Sequence, residues 1–329
     1  VNRDLPLLGF GLPVSGAWAT PSNMVHIAKL AENLGYETLW TFQRLLSPAP
    51  DIVDSRYVGQ NNPSARSAVD PSYDSVLDPL APLAYVAGHT DRIGLGTATI
   101  CSLFTAPAVL AKSMSTVDIL SNGRLTAGLG IGWMPHEYEA AGVPFSQRGA
   151  RMDEYLRCLQ ALWTQDPVEF AGDFYTVPRS HLGISSVQRP HPPILLGGTA
   201  PEALRRAGRL AQGWLISSKA DVEVIESSIA LVRAGAIESD RNPDELRIVA
   251  RRVVNLVDKP ISGSRESFHG SRDQVCADLA ALRASGVTEV FFDLNLSPRM
   301  ASPTNDTGEA VAYAEHVLNE FAPASPARV

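Results

Sequence analysis

Short apolar runs closed by glycine, proline or hydroxyl residues alternate along this chain with longer segments whose apolar positions recur every three to four residues. The first run, 7–14, is punctuated by Gly9, Gly11 and Pro13 and predicts a buried strand. Thr20-Pro21-Ser22 then opens a segment with Met24, Ile27, Ala28, Ala31 and Leu34 at helical spacing, stopped by Gly35. A strand at 38–42 follows. The same rhythm predicts helices at 77–87, 106–120, 151–163, 200–211, 221–237, 272–285 and 308–321. Strands fall between them at 92–101, 124–131, 194–196, 213–216, 246–257 and 287–294. Parallel strands joined by helices form either a doubly wound open sheet or a closed (β/α)8 TIM barrel, and eight strand-helix pairs favour the barrel.

Two stretches break the rhythm, both after strands. Residues 43–72 are rich in Pro, Ser, Asn and Asp, and 179–193 form a second long loop behind a small hairpin at 166–178 centred on Gly172-Asp173. Loops longer than about 15 residues are uncommon and often form lids or binding surfaces. We expect one barrel domain over 1–329, with these insertions building the substrate side.

Composition narrows the partners. The net charge is -7 with acidic and basic residues interspersed, which offers no basic patch to nucleic acid or anionic lipid. The opening residues lack the character of a signal peptide, and no apolar run reaches the length that spans a bilayer, so a cytoplasmic protein is expected. Of the basic residues only Lys29, Lys112, Lys219 and Lys259 are lysine, a bias associated with GC-rich genomes. Cys101, Cys158 and Cys276 are too widely spaced for a disulfide framework or a zinc site and are read as reduced. None of the seven histidines lies at metal-ligand spacing, so no metal is expected.

The sharpest local signal is 193–202, Pro-Ile-Leu-Leu-Gly-Gly-Thr-Ala-Pro-Glu. A buried strand runs into Gly197 and Gly198 and then a helix, whose first N–H groups and dipole favour an anion. The N–H groups of Gly198, Thr199 and Ala200 would hold a phosphate, with the Thr199 hydroxyl assisting. Alternatively, Thr199 and Glu202 form a capping box that satisfies the same donors internally. Gly128, Gly130 and Gly132 lack the spacing of a dinucleotide fingerprint, and Trp133-Met134-Pro135 is not expected to continue as a helix. They read instead as closely packed strand glycines or as a wall for a flat ring. His136 and Glu137 follow the fourth strand, where barrel chemistry sits, and are candidates for proton or substrate handling.

Taken in order, Gly9-Phe10-Gly11-Leu12-Pro13, Leu34-Gly35-Tyr36-Glu37-Thr38-Leu39-Trp40, Asp78-Pro79-Leu80, Arg92-Ile93-Gly94-Leu95-Gly96-Thr97, Asp118 to Leu125, Gly130-Ile131-Gly132-Trp133 with Glu137, Arg148 with Glu154, and the Gly197-Gly198 turn resemble the bacterial luciferase-like monooxygenase superfamily. Within it they resemble the actinobacterial oxidoreductases that use the deazaflavin coenzyme F420. The resemblance implies a luciferase-like barrel, a homodimer, and a ring at the carboxyl ends of the strands. It also implies a non-proline cis peptide after strand three, placed by alignment at Thr97-Ala98, and a cofactor phosphate at Gly197 and Gly198. Many relatives carry Asp-His or Glu-His just after the residue matching Trp40, whereas this chain has Gln43-Arg44. An arginine there stays protonated and orients anions rather than abstracting protons. Trp133 stands where glucose-6-phosphate dehydrogenases of the family have an acid, which argues against a sugar phosphate. The expected cofactor contacts are Thr97, Ala98, Gly197, Gly198 and Thr199, and the expected substrate or proton groups Gln43, Arg44, His136 and Glu137. The alternatives to F420-dependent hydride transfer are a monooxygenase using reduced FMN and a protein that binds the cofactor without turnover.

Overall fold

The computed structural model describes residues 5–47, 49, 71–218, 220, 222–297 and 299–323. Eight parallel strands form a closed ring: β1 (Leu7–Gly11), β2 (Thr38–Thr41), β3 (Gly94–Thr97), β4 (Leu125–Gly130), β5 (Ile194–Gly197), β6 (Gly213–Ile216), β7 (Arg247–Arg252) and β8 (Glu289–Phe292). Each pairs with the next in sequence, and β8 pairs back onto β1 with Phe292 opposite Phe10. This is the barrel that the alternation of runs predicts. Around it lie α1 (Pro21–Leu34), α2 (Leu80–Ala87), α3 (Pro107–Leu120), α4 (Pro135–Ala140), α5 (Arg148–Thr164), α6 (Pro201–Leu210), α7 (Ile225–Ile237), α8 (Arg272–Ala284) and α9 (Thr307–Glu320).

Local chemistry sets the ends of these elements. The Thr20 hydroxyl accepts the Asn23 N–H at the start of α1, and Gly35 leaves it with φ +87°. The second helix begins three residues later than its apolar pattern, because the Asp78 carboxylate takes the N–H groups of Leu80 and Ala81. Conversely α5 begins at Arg148 rather than 151. The expected strand 92–101 is interrupted after Thr97, and 100–101 pair separately with the end of β4. The expected strand 246–257 likewise stops at Arg252, with 255–256 pairing to 269–270. A short helix, α4, does follow the glycine string, contrary to expectation.

Alternation along the strands divides the apolar residues into two sets. Trp40, Ala98, Leu195, Leu215, Val249 and Phe291 fill the inside of the ring. Trp40 and Phe291 stack there at 5.2 Å. The larger set packs between the strands and the outer helices. Beneath the inner set, the buried Glu289 carboxylate accepts from Trp40 Nε1 at 2.9 Å and from Arg247 Nη2 at 3.0 Å. Burial raises the Glu289 carboxyl above its ordinary range against the pull of Arg247. This polar floor leaves the carboxyl ends of the strands as the open end. No helix among the described residues is long and apolar enough to cross a membrane.

Candidate active site

A cavity of about 340 Å³ sits on the inner cluster at the carboxyl ends of the strands, within the range that holds small organic ligands. Parallel strands all end on this side, so the segments following β2 to β6 converge there. Ala98, Leu215 and Phe291 of the inner cluster form part of its lining.

The segment after β3 forms one wall. Its cis peptide is Ala98-Thr99, one bond later than the expected Thr97-Ala98. Thr97 is fully buried between β3 and β4, where its hydroxyl donates to Gly128 O at 2.8 Å and accepts the Gly128 N–H at 3.0 Å. The cavity is lined instead by Ala98 and by Thr99, which was not singled out from sequence. The glycine string of β4 makes this arrangement possible. A Cβ on Gly128 would lie 1.5 Å from Thr97 O, one on Gly130 2.7 Å from Thr99 Oγ1, and one on Gly132 2.7 Å from Cys101 Sγ. Gln43 fixes the same wall from β2: its N–H donates to Thr99 O at 3.3 Å and its side-chain oxygen accepts the Cys101 N–H at 2.8 Å.

A second wall is built around Arg44, which is 8% exposed. Its guanidinium lies 4.5 Å from the Tyr73 ring centroid and 4.9 Å from that of Trp133, a cation–π sandwich. Nη1 is 3.5 Å from the Glu137 carboxylate, Nη2 contacts Met134 Sδ, and Nε has no acceptor. Burial lowers the Arg44 pKa, and Glu137 opposes that shift. Glu137, delivered by α4, also accepts the N–H groups of Leu45 at 2.7 Å and Leu46 at 3.3 Å, tying the chain after β2 to the rim of β4. His136, its neighbour on α4, is half-buried and does not line the cavity. Cys101 does line it, and burial, reinforced by Glu137, pushes its thiol up to about 12. Of the two loops expected on the substrate side, most of 43–72 lies outside the described residues, and 179–193 does not line the cavity.

The third wall is the β5 turn. Gly197, Gly198 and Thr199 all line the cavity. Gly198 has φ +143°, and a Cβ there would sit 2.8 Å from that of Ala203. The residue preceding α6 is Ala200, with no side-chain cap, so the capping box of Thr199 and Glu202 does not form. Among the described residues, nothing accepts the N–H groups of Gly198, Thr199 and Ala200. They remain as donors at the positive end of a ten-residue helix. A flat ring carrying a phosphate fits these features: donors at one wall, small and apolar atoms at another.

Sequence reasoning missed Arg251. It lines the cavity from the end of β7, donates through Nη1 to Ala98 O at 3.3 Å, pairs with Asp293, and lies 4.6 Å from the Phe42 ring centroid. The signal was available: Arg247, Val249 and Arg251 alternate with Ile248, Ala250 and Arg252, and only the first set shares the barrel interior. No group of three or more His, Cys, Asp or Glu that could hold a metal ion occurs among the described residues.

Comparison with known proteins gives a consistent family. The profile described as luciferase-like monooxygenase matches residues 9–262. An uncharacterized protein of Mycobacterium tuberculosis is 31% identical over 298 residues, covering 90% of this chain and 92% of that protein. The F420-dependent glucose-6-phosphate dehydrogenase of Amycolatopsis mediterranei is 27% identical over 247 residues, 73% of this chain and 67% of its own. The FMNH(2)-dependent dimethylsulfone monooxygenase of Pseudomonas putida is 35% identical over 134 residues, 40% of this chain and 37% of its own.

Proposed function

The chain belongs to the luciferase-like monooxygenase family, which has F420- and FMN-dependent members, and from that premise we propose that it transfers a hydride between coenzyme F420 and a small organic substrate. One observation carries the reading: a single cavity is lined both by Gly198 and Thr199, whose N–H groups have no acceptor among the described residues, and by the small side chains of Ala98 and Thr99. F420 is taken as the first reading because the F420-dependent relative aligns with 73% of the chain, at 27% identity; the FMN-dependent relative is 35% identical but over only 40%, so binding decides between them.

In this reading the deazaflavin supplies the hydride chemistry when bound. Gly198, Thr199 and Ala200 hold its phosphate through backbone N–H groups, and Ala98, Thr99 and Leu215 back the ring. Gln43 keeps the Thr99–Cys101 segment in place. Arg44, steadied by Glu137, orients the substrate and stabilises negative charge; it stays protonated and is not the base. Among the described residues each guanidinium lining the cavity already has a carboxylate partner, Glu137 for Arg44 and Asp293 for Arg251, which supports an uncharged substrate. With Trp133 on the wall, this argues against a sugar phosphate. The family resemblance supports a homodimer, checked in solution by light scattering.

The FMN-dependent relative supports a second reading, a monooxygenase using reduced FMN. The two are separated by supplying reduced F420 with a panel of uncharged carbonyl and alkene acceptors, and reduced FMN with oxygen. Acceptor-dependent return of the oxidised deazaflavin absorbance is expected. Transfer of an oxygen atom into an organic substrate with reduced FMN, above the enzyme-free oxidation of the flavin, and no reaction with F420 would replace the first reading by the second, and binding without turnover in either arm would leave a carrier.

A further inference from the structure

β7 ends in two arginines that face opposite ways. Arg251 turns into the cavity, whereas Arg252 turns out of the barrel and is 4% exposed. Its Nη1 donates to the carbonyls of Ser217 at 3.3 Å, Ser218 at 3.4 Å and Ala220 at 3.3 Å. Nε and Nη2 have no acceptor, and no carboxylate among the described residues pairs with it. The two other buried arginines, Arg44 and Arg206, each have a carboxylate partner. A buried charge without a counter-charge is costly, so a missing anion is the natural question.

The position of Arg252 answers it. The carbonyls it holds belong to the segment after β6, whose Ser217 and Ser218 line the cavity together with Gly198 and Thr199. That segment is locked to the β5 turn by pairing of Gly197 with Leu215 and by donation from Trp214 Nε1 to Gly198 O at 2.8 Å. Arg252 therefore stands directly behind the loop beside the unpaired N–H groups that precede α6.

We propose that Arg252 supplies the fixed positive charge of an anion subsite shared by the start of α6 and the 217–218 segment, where a phosphate ester provides the missing counter-charge. Arg252 is a positioning residue: it holds the loop by its carbonyls and makes the potential on the cavity side positive. The inference rests on the reading that this end of the cavity takes a cofactor phosphate, and the test separates the two.

The full chain is compared with Arg252→Gln and Arg252→Lys using two ligand pairs: F420 with its phosphate-free deazaflavin, and FMN with riboflavin. Arg252→Gln should weaken the phosphate-bearing member of whichever pair binds by about tenfold and leave the phosphate-free member within about twofold, with Arg252→Lys in between. In a thermal-shift assay, inorganic phosphate should raise the Tm of the wild-type chain over a chloride control and not that of Arg252→Gln. Equal weakening of both members of a pair, or equal phosphate stabilisation of wild type and variant, would overturn the proposal. If Arg252→Gln does not fold, the salt dependence of the wild-type chain decides. Affinity for the phosphate-bearing ring must fall with salt more steeply than for its partner, and equal slopes overturn the proposal. If neither ring binds while inorganic phosphate still stabilises through Arg252, the cofactor reading fails and the anion subsite stands.

Discussion

Glu137→Leu isolates the role of the ion pair that holds Arg44. The carboxylate it removes is buried and accepts two backbone N–H groups, from Leu45 and Leu46, beside Nη1 of Arg44 at 3.5 Å. Breaking a buried pair from one side costs about 3–5 kcal/mol, because the remaining charge is left uncompensated. The loose 3.5 Å contact and the two aromatic faces that stay on the guanidinium place the expected loss nearer 2 kcal/mol by the same reasoning. With an unfolding entropy of about 2.1 cal/mol/K per residue, 329 residues give roughly 0.7 kcal/mol/K, and the Tm falls by about 3 °C. The assay is a double-mutant cycle by calorimetry with Arg44→Leu and the pair of changes together. The double variant should be more stable than Glu137→Leu alone, since it removes the orphaned charge. A double variant whose loss is the plain sum of the two singles would refute the coupling on which the placement of Arg44 rests.

Two other substitutions and one labelling experiment probe the β5 turn, the packing of Glu154 and the cavity wall. Gly198→Ala puts a Cβ 2.8 Å from that of Ala203 at φ +143°, and should weaken cofactor binding in a fluorescence titration about tenfold, corresponding to strain of about 1–3 kcal/mol; unchanged affinity would remove the turn from the site. Burial alone raises the Glu154 carboxyl, but the N–H groups of Phe174, Tyr175 and Asp173 outweigh it and hold the pKa below its ordinary value. Its contribution is therefore present above the unfolded-state pKa and lost as the pH falls through the depressed folded value, so Glu154→Gln should lower the Tm at pH 7 and flatten its decline below about pH 4. A variant with the wild-type acid profile would contradict this. Because burial and Glu137 push the Cys101 thiol up to about 12, alkylation at pH 8 read by peptide mass spectrometry should reach the half-buried Cys276 well before Cys101; first labelling at Cys101 would mean an open, activated thiol.

The barrel was legible because its strands are short apolar runs with breakers at both ends, as at 213–216, which matches β6 residue for residue. Legibility failed where a local contact competes with pattern. The run 92–101 is apolar throughout, and nothing in it marks the break after Thr97, which comes from packing Thr97 O and Thr99 against glycines of β4. The six residues of α4 are too few to show a helical period, so the helix that delivers Glu137 was missed while Glu137 itself was noted for following β4. The glycine turn before α6 was readable because its chemistry is local, adjacent glycines and a following helix, but the missing cap was not: Thr199 and Glu202 left a capping box open until the structure placed Ala200 before the helix. Thr97 and Thr99 differ by two positions in sequence, and only the structure shows that the first is sealed in the wall and the second lines the cavity. Arg252 gave no signal, because the role proposed for it rests on the lack of a carboxylate partner among the described residues, and such a lack has no sequence pattern.

The most direct measurement is a fluorescence titration of the purified apo-protein with F420 and, separately, with FMN. Saturable F420 binding at micromolar concentration or better, with FMN much weaker, is the expected result. Tighter binding of FMN would contradict the deazaflavin assignment and turn the search to oxygen-dependent chemistry, and failure of both ligands to bind would contradict the cofactor site itself.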